Sequence, residues 1–337
     1  MPKSQTLFFT APKQIEVRET PFPAPGDDEV LVETICSAIS AGTEMLVYRG
    51  QFPYLADSYD AVSSGLNYPL AYGYACVGRV VEIGKMVNGE WRDKLVFGFQ
   101  PHTSHFVAKI ESLILIPASL STEAACFLPN METAVNLVQD GAPIIGERVL
   151  VLGQGIIGIL TASLLNEFPL ESLITVDQFE LRRNALLHAL IQKSNIKRFS
   201  PVDLRTSTLA EKKADLTFEL SGSPAALNDA IEFTAFSGRI VIGSWYGQKR
   251  APIDLGGSFH RSRIELISSQ VSTIPPKLSG RWDKARRFEV TWDALKRIQP
   301  EKWITHRFSV DDAGRAYQLL DENPQETIQI LIEYKKK

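Results

Sequence analysis

Cysteine and histidine are scarce in this sequence. It has three cysteines, Cys36, Cys76 and Cys126, and five histidines among 337 residues. The cysteines lie far apart and none belongs to a Cys-x-x-Cys pair, which argues against a structural zinc site of four cysteines. An odd and sparse set of thiols is typical of a reducing compartment, so we expect a cytoplasmic protein.

The sequence also lacks a strong charge imbalance and a long apolar run. Its formal net charge is −3, so nothing points to nucleic acid or an acidic membrane as a partner. The most apolar segment, residues 149–165, is interrupted by glycines and is shorter than a typical membrane-spanning helix. We therefore expect a small molecule as the substrate, with neither nucleic acid nor a membrane as a partner.

The distribution of strand-like and helix-like segments divides the chain. The first part contains short strand-like runs, such as 30–35 and 76–83, separated by proline and glycine, which predicts an antiparallel, barrel-like domain. From residue 147 strands and helices alternate, which predicts a doubly wound parallel sheet. This alternation of strands and helices stops after residue 269, where we expect the chain to return to the first domain. The predicted domains are 1–121 with 270–337, and 122–269.

A glycine-rich turn carries the clearest chemical signal. A buried strand runs into Gly153-Gln-Gly155-Ile-Ile-Gly158 and then into a helix. In this pattern Gly153 allows a tight turn, Gly155 lets the backbone approach a pyrophosphate, and Gly158 lets helix and strand pack closely. The pyrophosphate would lie at the helix N-terminus, where the backbone N–H groups of Ile156 and Ile157 can bind an anion. The turn therefore predicts a dinucleotide site.

The charged residues after the next strand bear on the choice of dinucleotide. Asp177 ends that strand, roughly 20 residues beyond the last glycine of the turn. A carboxylate at this position accepts hydrogen bonds from the adenosine ribose and repels a 2′-phosphate, which favours NAD. Arg182 and Arg183 follow it and could contact a 2′-phosphate instead, so NADP remains possible. A surface aspartate on a glycine-rich turn is the alternative without a cofactor.

Small residues follow three further strands. The nicotinamide ring should lie beyond the carboxyl ends of the strands, where small residues allow close approach and backbone groups can bind the carboxamide. Trp245 and Tyr246 either wall the substrate pocket or pack in the core or at a dimer interface. The residues predicted to bind this half of the cofactor are Ser221, Gly222, Gly243, Ser244 and Ser268.

From residue 5 to residue 333 the chain resembles the medium-chain dehydrogenase/reductase superfamily. The segments 37–44 (SAISAGTE) and 68–78 (YPLAYGYACVG) carry this resemblance with the glycine turn, and they look most like the bacteriochlorophyllide dehydrogenase branch. The resemblance implies an α/β fold with a Rossmann sheet inserted in a β-barrel-like, GroES-like catalytic domain. It also implies hydride transfer between a nicotinamide dinucleotide and an alcohol or carbonyl substrate, and we expect a homodimer.

The zinc ligands of the superfamily have no counterpart here. Zinc-dependent members carry a cysteine in the segment that matches 39–41, which here is Ile-Ser-Ala. They carry Gly-His-Glu where this chain has Gly73-Tyr74-Ala75, and a third ligand near Pro129, which cannot bind metal. Cys126 lies close to that position, but one cysteine does not rebuild a site with three ligands. The resemblance therefore implies a zinc-independent member.

Without zinc, side chains must supply the proton or hydrogen bond that a developing alkoxide or enolate needs. Tyr74 stands at a lost ligand position and is the candidate acid. Tyr72, two residues earlier, shares its face on an extended segment. Thr43 matches the proton-relay hydroxyl of the family, and Glu44 could orient a donor or accept a proton. Each tyrosine could also be only a packed aromatic.

The remaining histidines give weaker signals. His102 and His105 flank a turn and have no third ligand nearby in sequence, so we do not expect them to hold a metal. His260 and Arg261 precede a strand, and in the family this region lies near the nicotinamide or a subunit contact. A plain surface role is as consistent with both.

Three functions remain open from the sequence. The first is a dehydrogenase or reductase that uses NAD and acts on an alcohol/carbonyl pair. The second is an NADPH-dependent enone or quinone reductase, which Arg182 and Arg183 favour and Asp177 opposes. The third is a non-catalytic dinucleotide-binding sensor, against which the tyrosines and the pair Thr43-Glu44 argue.

Overall fold

The computed structural model describes residues 3–21, 24–52, 66–187, 196–207 and 212–334. The chain divides into two compact units: unit 1 is Met1–Pro129 with Gln299–Lys337, and unit 2 is Asn130–Ile298. The domain limits predicted from the sequence, near 121 and 270, differ from these unit limits by residues 122–129, which belong to unit 1, and by residues 270–298, which belong to unit 2. The domain limits stay a prediction.

Unit 1 consists mainly of antiparallel strands. Its strands are β1 (Lys3–Ala11), β2 (Gln14–Pro21), β3 (Glu29–Ala38), β4 (Leu70–Ala71), β5 (Cys76–Ile83), β6 (Leu95–Gly98), β7 (His105–Lys109), β8 (Leu113–Leu115), β15 (Ile304–Ser309) and β16 (Gln329–Glu333). Its helices are α1 (Thr43–Tyr48), α2 (Thr122–Ala125) and α9 (Ala313–Glu322). One sheet has the order β15-β16-β3-β5-β6-β8, with β7 on β3, and a second has the order β2-β1-β4.

Side-chain alternation along these strands builds the core of unit 1. Val30 and Val32 lie on one face of β3 and pack with Val80 of β5 and Val96 of β6. This arrangement follows from the two-residue period of a strand, which places alternate side chains on the same face. A second core cluster surrounds Tyr317 of α9.

Unit 2 is the doubly wound part. Its strands are β9 (Arg148–Leu152), β10 (Ser172–Val176), β11 (Ile196–Phe199), β12 (Ala214–Glu219), β13 (Thr234–Ile242) and β14 (Glu265–Ser268). Its helices are α3 (Leu128–Gly141), which begins at the unit boundary, α4 (Ile156–Leu165), α5 (Glu180–Asn184), α6 (Pro201–Thr206), α7 (Ala226–Phe233) and α8 (Lys284–Ile298).

All pairs in the sheet of unit 2 are parallel, in the order β11-β10-β9-β12-β13-β14. The strand order reverses between β9 and β12, and in open α/β sheets ligands bind outside the carboxyl ends of the strands at such a point. The predicted α/β class is confirmed. In the part of the chain that is described, no helix combines the length and the apolar character needed to cross a bilayer.

Candidate functional site

The glycine turn lies at the strand-order reversal, between β9 and α4. Gly153 has φ +93°, and a Cβ there would lie 2.5 Å from the carbonyl oxygen of Leu220, just after β12. A Cβ on Gly158 would lie 1.9 Å from the carbonyl oxygen of Gly153. A Cβ on Gly155 would meet nothing within 4 Å. Two glycines thus permit tight internal packing, whereas Gly155 faces open space.

The open space at Gly155 adjoins the start of α4. Gly155 is the N-cap of this helix, and no described side chain caps its first turn. The N–H groups of the first turn, which include those of Ile156 and Ile157, therefore receive no side-chain cap from the described residues. Together with the helix dipole they favour an anion. The residues present fit the pyrophosphate of a dinucleotide.

Asp177 follows β10 and is almost buried. Its Oδ2 accepts the backbone N–H of Gln154 at 2.7 Å, and its Oδ1 accepts that of Phe179 at 2.8 Å. Each carboxylate oxygen keeps a further lone pair for another donor. Asp177 thus ties the glycine turn to the end of β10, and its predicted contact with a ribose stays a prediction.

The two arginines after Asp177 have different surroundings. The Arg182 guanidinium lies 4.9 Å from the centre of the Phe179 ring, and burial lowers the pKa of Arg182. Arg183 donates to the carbonyl oxygens of Asp177 and Gln178, at 2.9 and 2.8 Å. Carbonyl oxygens therefore hold Arg183 on the backbone beside Asp177, while Arg182 extends over an aromatic ring.

Most of the small residues predicted for the nicotinamide half lie at the carboxyl ends of adjacent strands. Gly222 has φ +72°, and its N–H donates to Ser244 Oγ at 2.9 Å, which joins the turns after β12 and β13. A Cβ on Gly243 would lie 2.6 Å from side-chain atoms of Leu137 and Leu220. Ser268 ends the edge strand β14 and is exposed. The structure thus brings Gly222, Gly243 and Ser244 together.

Glu219 is a charged residue of this region that the sequence analysis missed. Its side chain at the end of β12 is fully buried. Oε1 accepts the N–H and the hydroxyl of Ser221 at 2.9 and 2.5 Å, and Oε2 accepts the Tyr246 hydroxyl at 2.5 Å. Burial and the nearby Glu219 charge raise the pKa of Tyr246. Glu219 thus orders two of the turns at this edge, and Tyr246 serves that network.

In unit 1 the structure brings the predicted catalytic hydroxyls together. The Tyr74 hydroxyl donates to Ser40 Oγ at 2.5 Å. Burial and the Glu44 charge raise the pKa of Tyr74 to about 12, although hydrogen bonds with Ser40 and Thr43 oppose the shift. The Tyr72 ring centre lies 6.4 Å from that of Tyr74, and Tyr72 is buried. Taken as whole residues, Tyr74 is less buried than Tyr72.

Glu44 is close enough to Tyr74 for its charge to act on that hydroxyl, and it is fully buried. Its Oε1 accepts the backbone N–H of Ser40 at 2.9 Å. Its Oε2 contacts His102 Nε2 at 2.9 Å and accepts the Tyr317 hydroxyl. The sequence analysis considered His102 only as a metal ligand, and its pairing with Glu44 across 58 residues leaves no local sequence signal.

Metal-binding side chains do not gather in the described ranges. Within them, no group of three or more His, Cys, Asp or Glu residues could hold a metal ion. Cys36 and Cys126 are buried, with their sulfur atoms 3.4 Å apart. His105 Nδ1 lies 3.0 Å from Ser104 Oγ, whereas the His102 ring is bound to Glu44 and Ser37. The two histidines therefore belong to separate environments.

Comparison with known proteins finds relatives that match this chain over most of its length. No family model matches the sequence. An L-threonine 3-dehydrogenase from Xanthomonas euvesicatoria is 25% identical over 93% of this chain and 94% of its own. A short chain alcohol dehydrogenase from Escherichia coli, solved with NADH, has a TM-score of 0.77 at 19% identity, covering 98% of this chain and 99% of its own. A Sinorhizobium meliloti dehydrogenase described as zinc-binding, solved with NADP, has a TM-score of 0.75 at 16% identity, covering 99% of this chain and 100% of its own. The chain shares the fold of these two solved dehydrogenases.

Proposed function

We propose that this chain is an oxidoreductase of the medium-chain dehydrogenase/reductase type that moves hydride between NAD(H) and an alcohol/carbonyl pair without zinc. The observation that carries the proposal is the glycine turn, which is packed tightly at Gly153 and Gly158 and open at Gly155. Similarity to proteins named as dehydrogenases supports the reaction class.

Unit 2 would hold the dinucleotide. The N–H groups at the start of α4 would bind the pyrophosphate, Asp177 the adenosine ribose, and the turns around Gly222 and Ser244 the nicotinamide half. When bound, the nicotinamide supplies or accepts the hydride. The residues of unit 2 contribute binding and orientation.

Unit 1 would supply the proton for reduction of the carbonyl group. Tyr74 is the candidate acid, because it is less buried than Tyr72 and its phenol already donates a hydrogen bond to Ser40. With a pKa of about 12, the phenol keeps its proton at physiological pH. It can still protonate an alkoxide, which is a stronger base than a phenolate. Thr43 would relay a proton to the Tyr74 hydroxyl. The Tyr72 ring packs beside the Tyr74 ring.

Zinc independence rests on the residues that replace the ligands of the superfamily. Tyr74 stands where zinc members carry a histidine ligand, and it donates to Ser40, which lies in the segment 39–41 where they carry a cysteine. Ala75 and Pro129 offer no side-chain donor to a metal. These residues do not fit a catalytic zinc ion.

We expect protein prepared without added zinc to contain far less than stoichiometric zinc, since too few ligands converge. Elemental analysis measures this content, with a zinc-dependent dehydrogenase purified in parallel as a positive control. A chelator should leave the melting temperature and the NADH-dependent turnover unchanged. Stoichiometric zinc that disappears on substitution of Cys126 or His102 would overturn zinc independence.

The preference for NAD over NADP is proposed from Asp177. We expect the double variant Asp177→Ser with Gln178→Arg to shift preference toward NADPH, with NADH binding weaker by roughly 1–3 kcal/mol, because ribose hydrogen bonds and charge repulsion are both lost. Fluorescence titration with NADH and NADPH measures both affinities. Gln178→Arg alone is the matched control and should keep the preference for NADH. Tighter binding of NADPH by the unmodified protein contradicts this role of Asp177.

The two alternatives make different predictions in a thermal-shift panel. Stabilisation by NADP(H) alone favours an enone or quinone reductase, in which Arg182 would contact the 2′-phosphate. Stabilisation by NAD(H) without turnover of any alcohol, ketone or aldehyde favours a dinucleotide-binding sensor. Stabilisation by NAD(H) with turnover supports the proposed dehydrogenase.

The finer assignments are part of the same proposal. The segments 37–44 and 68–78 favour the bacteriochlorophyllide dehydrogenase branch, whose substrate would be a hydroxyethyl group on a tetrapyrrole, while the sequence Gly73-Tyr74-Ala75 leaves this substrate open. We also propose a cytoplasmic homodimer with a small-molecule substrate. Size-exclusion chromatography with light scattering tests the dimer.

A further inference from the structure

We propose that His102 is a positioning residue which, through Glu44, holds Tyr74 and Ser40 in the geometry needed for proton donation. This inference rests on the function proposed above. It concerns a side chain that lies outside the glycine turn and outside the set of candidate acids.

The hydrogen bonds around His102 fix its ring at both nitrogens. Ser37 Oγ lies 2.7 Å from Nδ1, and the Tyr334 hydroxyl lies 3.0 Å from Ser37 Oγ. Nε2 lies 2.9 Å from Glu44 Oε2. A carboxylate only accepts hydrogen bonds, so this network assigns a proton to Nε2, which donates to Glu44. The fully buried ring therefore has a single orientation.

His102 also supports the segment that carries Tyr74. Gly73 has φ +128°, and a Cβ there would lie 2.7 Å from His102 Cδ2 and 2.9 Å from His102 Nε2. The ring thus occupies the space next to the backbone immediately before Tyr74. The backbone N–H of His102 also donates to the carbonyl oxygen of Tyr72, at 3.3 Å.

Glu44 connects this support to Ser40. The carboxylate receives the N–H of His102 on one oxygen and the backbone N–H of Ser40 on the other. Ser40 is in turn the acceptor for the Tyr74 hydroxyl. The histidine–carboxylate pair thus contacts the two segments that present the donor and its acceptor. A misplacement of about 1 Å can cost roughly 100-fold in rate, so rigid support at this point matters for catalysis.

Two other elements keep Glu44 in place. Tyr317 of α9 donates to the same carboxylate, and α1 carries Glu44 itself. Among the described residues, the hydrogen-bond partners of the Glu44 carboxylate are the backbone N–H of Ser40, His102 and Tyr317. Removal of His102 leaves one oxygen with a single tyrosine donor, so the carboxylate can turn and release Ser40.

His102→Leu tests the inference, because leucine fills similar space and removes both ring hydrogen bonds. With tyrosine labelled at the ζ carbon, the Tyr74 resonance, identified by its loss in Tyr74→Phe, is expected to shift or split in His102→Leu. NADH oxidation with a panel of aliphatic ketones and aldehydes should show a fall in kcat of roughly 10- to 100-fold with little change in KM for NADH. His102→Gln keeps a donor for Glu44. It should retain most of kcat and keep the Tyr74 resonance close to its position in the unmodified protein.

His105→Leu is the matched control, because it removes the neighbouring histidine of a separate environment and should leave both readouts unchanged. In the Tyr74→Phe background, His102→Leu should cause no further loss of kcat, since its effect acts through Tyr74. An unshifted Tyr74 resonance, or an equal loss of kcat in both backgrounds, overturns the inference. If His102→Leu does not fold, Ser37→Ala enters the same comparison with a smaller expected shift, and an unshifted resonance there also overturns it. Absence of turnover in the unmodified protein contradicts the proposed function, while the resonance still tests the positioning.

Discussion

Tyr74→Phe is expected to lower kcat for carbonyl reduction by roughly 10²–10⁴-fold, the usual contribution of general acid catalysis. The change keeps the ring and its packing against Tyr72, and removes only the oxygen that donates to Ser40. Affinity for NADH should stay nearly constant, because the residues proposed to bind the dinucleotide lie in unit 2. Steady-state kinetics with the ketone and aldehyde panel, together with fluorescence titration of NADH, separates the two quantities.

The control for this variant is Tyr68→Phe, which removes a phenol of the same unit that donates to the carbonyl oxygen of Val47. It should leave kcat unchanged. A fall in kcat smaller than about threefold in Tyr74→Phe would make Tyr74 a pocket wall rather than the acid. The next candidates would then be Tyr72, Glu44 and His260.

The raised pKa of Tyr74 predicts the pH dependence of the reaction. Because the shift is upward, to about 12, the protonated acid persists to higher pH than in an ordinary tyrosine. The rate of reduction should therefore show no loss attributable to Tyr74 up to at least about pH 10, the ordinary tyrosine value. The oxidation direction, which needs the phenolate, should still be rising at that pH.

Gly155→Ala is expected to weaken NADH binding, whereas Gly158→Ala is expected to lower the stability of the fold. A Cβ on Gly155 meets no protein atom within 4 Å, so the variant should lose at most about 1 kcal/mol of stability, through the N-cap preference alone. It should nevertheless weaken NADH binding roughly 10- to 100-fold, or about 1.4–2.8 kcal/mol, because the methyl group enters the space proposed for the pyrophosphate. Differential scanning fluorimetry and NADH titration measure the two effects.

A Cβ on Gly158 would instead lie 1.9 Å from the carbonyl oxygen of Gly153. Gly158→Ala should therefore lower the free energy of unfolding by about 3 kcal/mol, as expected for overpacking against backbone. Gly314→Ala, at an exposed position of α9 with nothing within 4 Å, is the control and should not lower the free energy of unfolding. Unchanged NADH affinity in Gly155→Ala would mean that the pyrophosphate does not lie at this turn.

The parallel sheet could be predicted because its signals are local. Residues 148–152 form a strand as predicted, and α4 starts at Ile156, directly after Gly155. The apolar residues of 284–298 recur at helical spacing, which predicts a helix, and Lys284–Ile298 is helical. The alternating pattern also predicts a helix over 180–189; the structure has a helix over Glu180–Asn184 and turns over 185–187, and residues 188 and 189 lie outside the described part of the chain. The short strand β15 was not predicted, because its residues mix polar and apolar types and its pairing with β16 provides the order.

The buried polar networks could not be predicted from the sequence. Glu44, His102 and Tyr317 come from three distant parts of the chain, and each alone is typical of a surface helix or loop. Glu219 gave a faint signal, since a carboxylate between Phe218 and Leu220 is unusual in a buried strand. Such groups become interpretable only when the fold shows which donors surround them.

The strand order of unit 1 also constrains the order in which the two units can fold during synthesis. β16 pairs with β3, with Ile332 opposite Ser37, although almost the whole chain separates them. During synthesis the sheet of unit 2 has all its strands before β16 leaves the ribosome, and domains generally fold as units in the order of their synthesis. Until α9 and β16 emerge, the Glu44 carboxylate lacks Tyr317 and the edge of β3 lacks β16. An exposed strand edge is a site for aggregation, so truncation near the C-terminus should harm solubility and folding yield before it alters the parallel sheet.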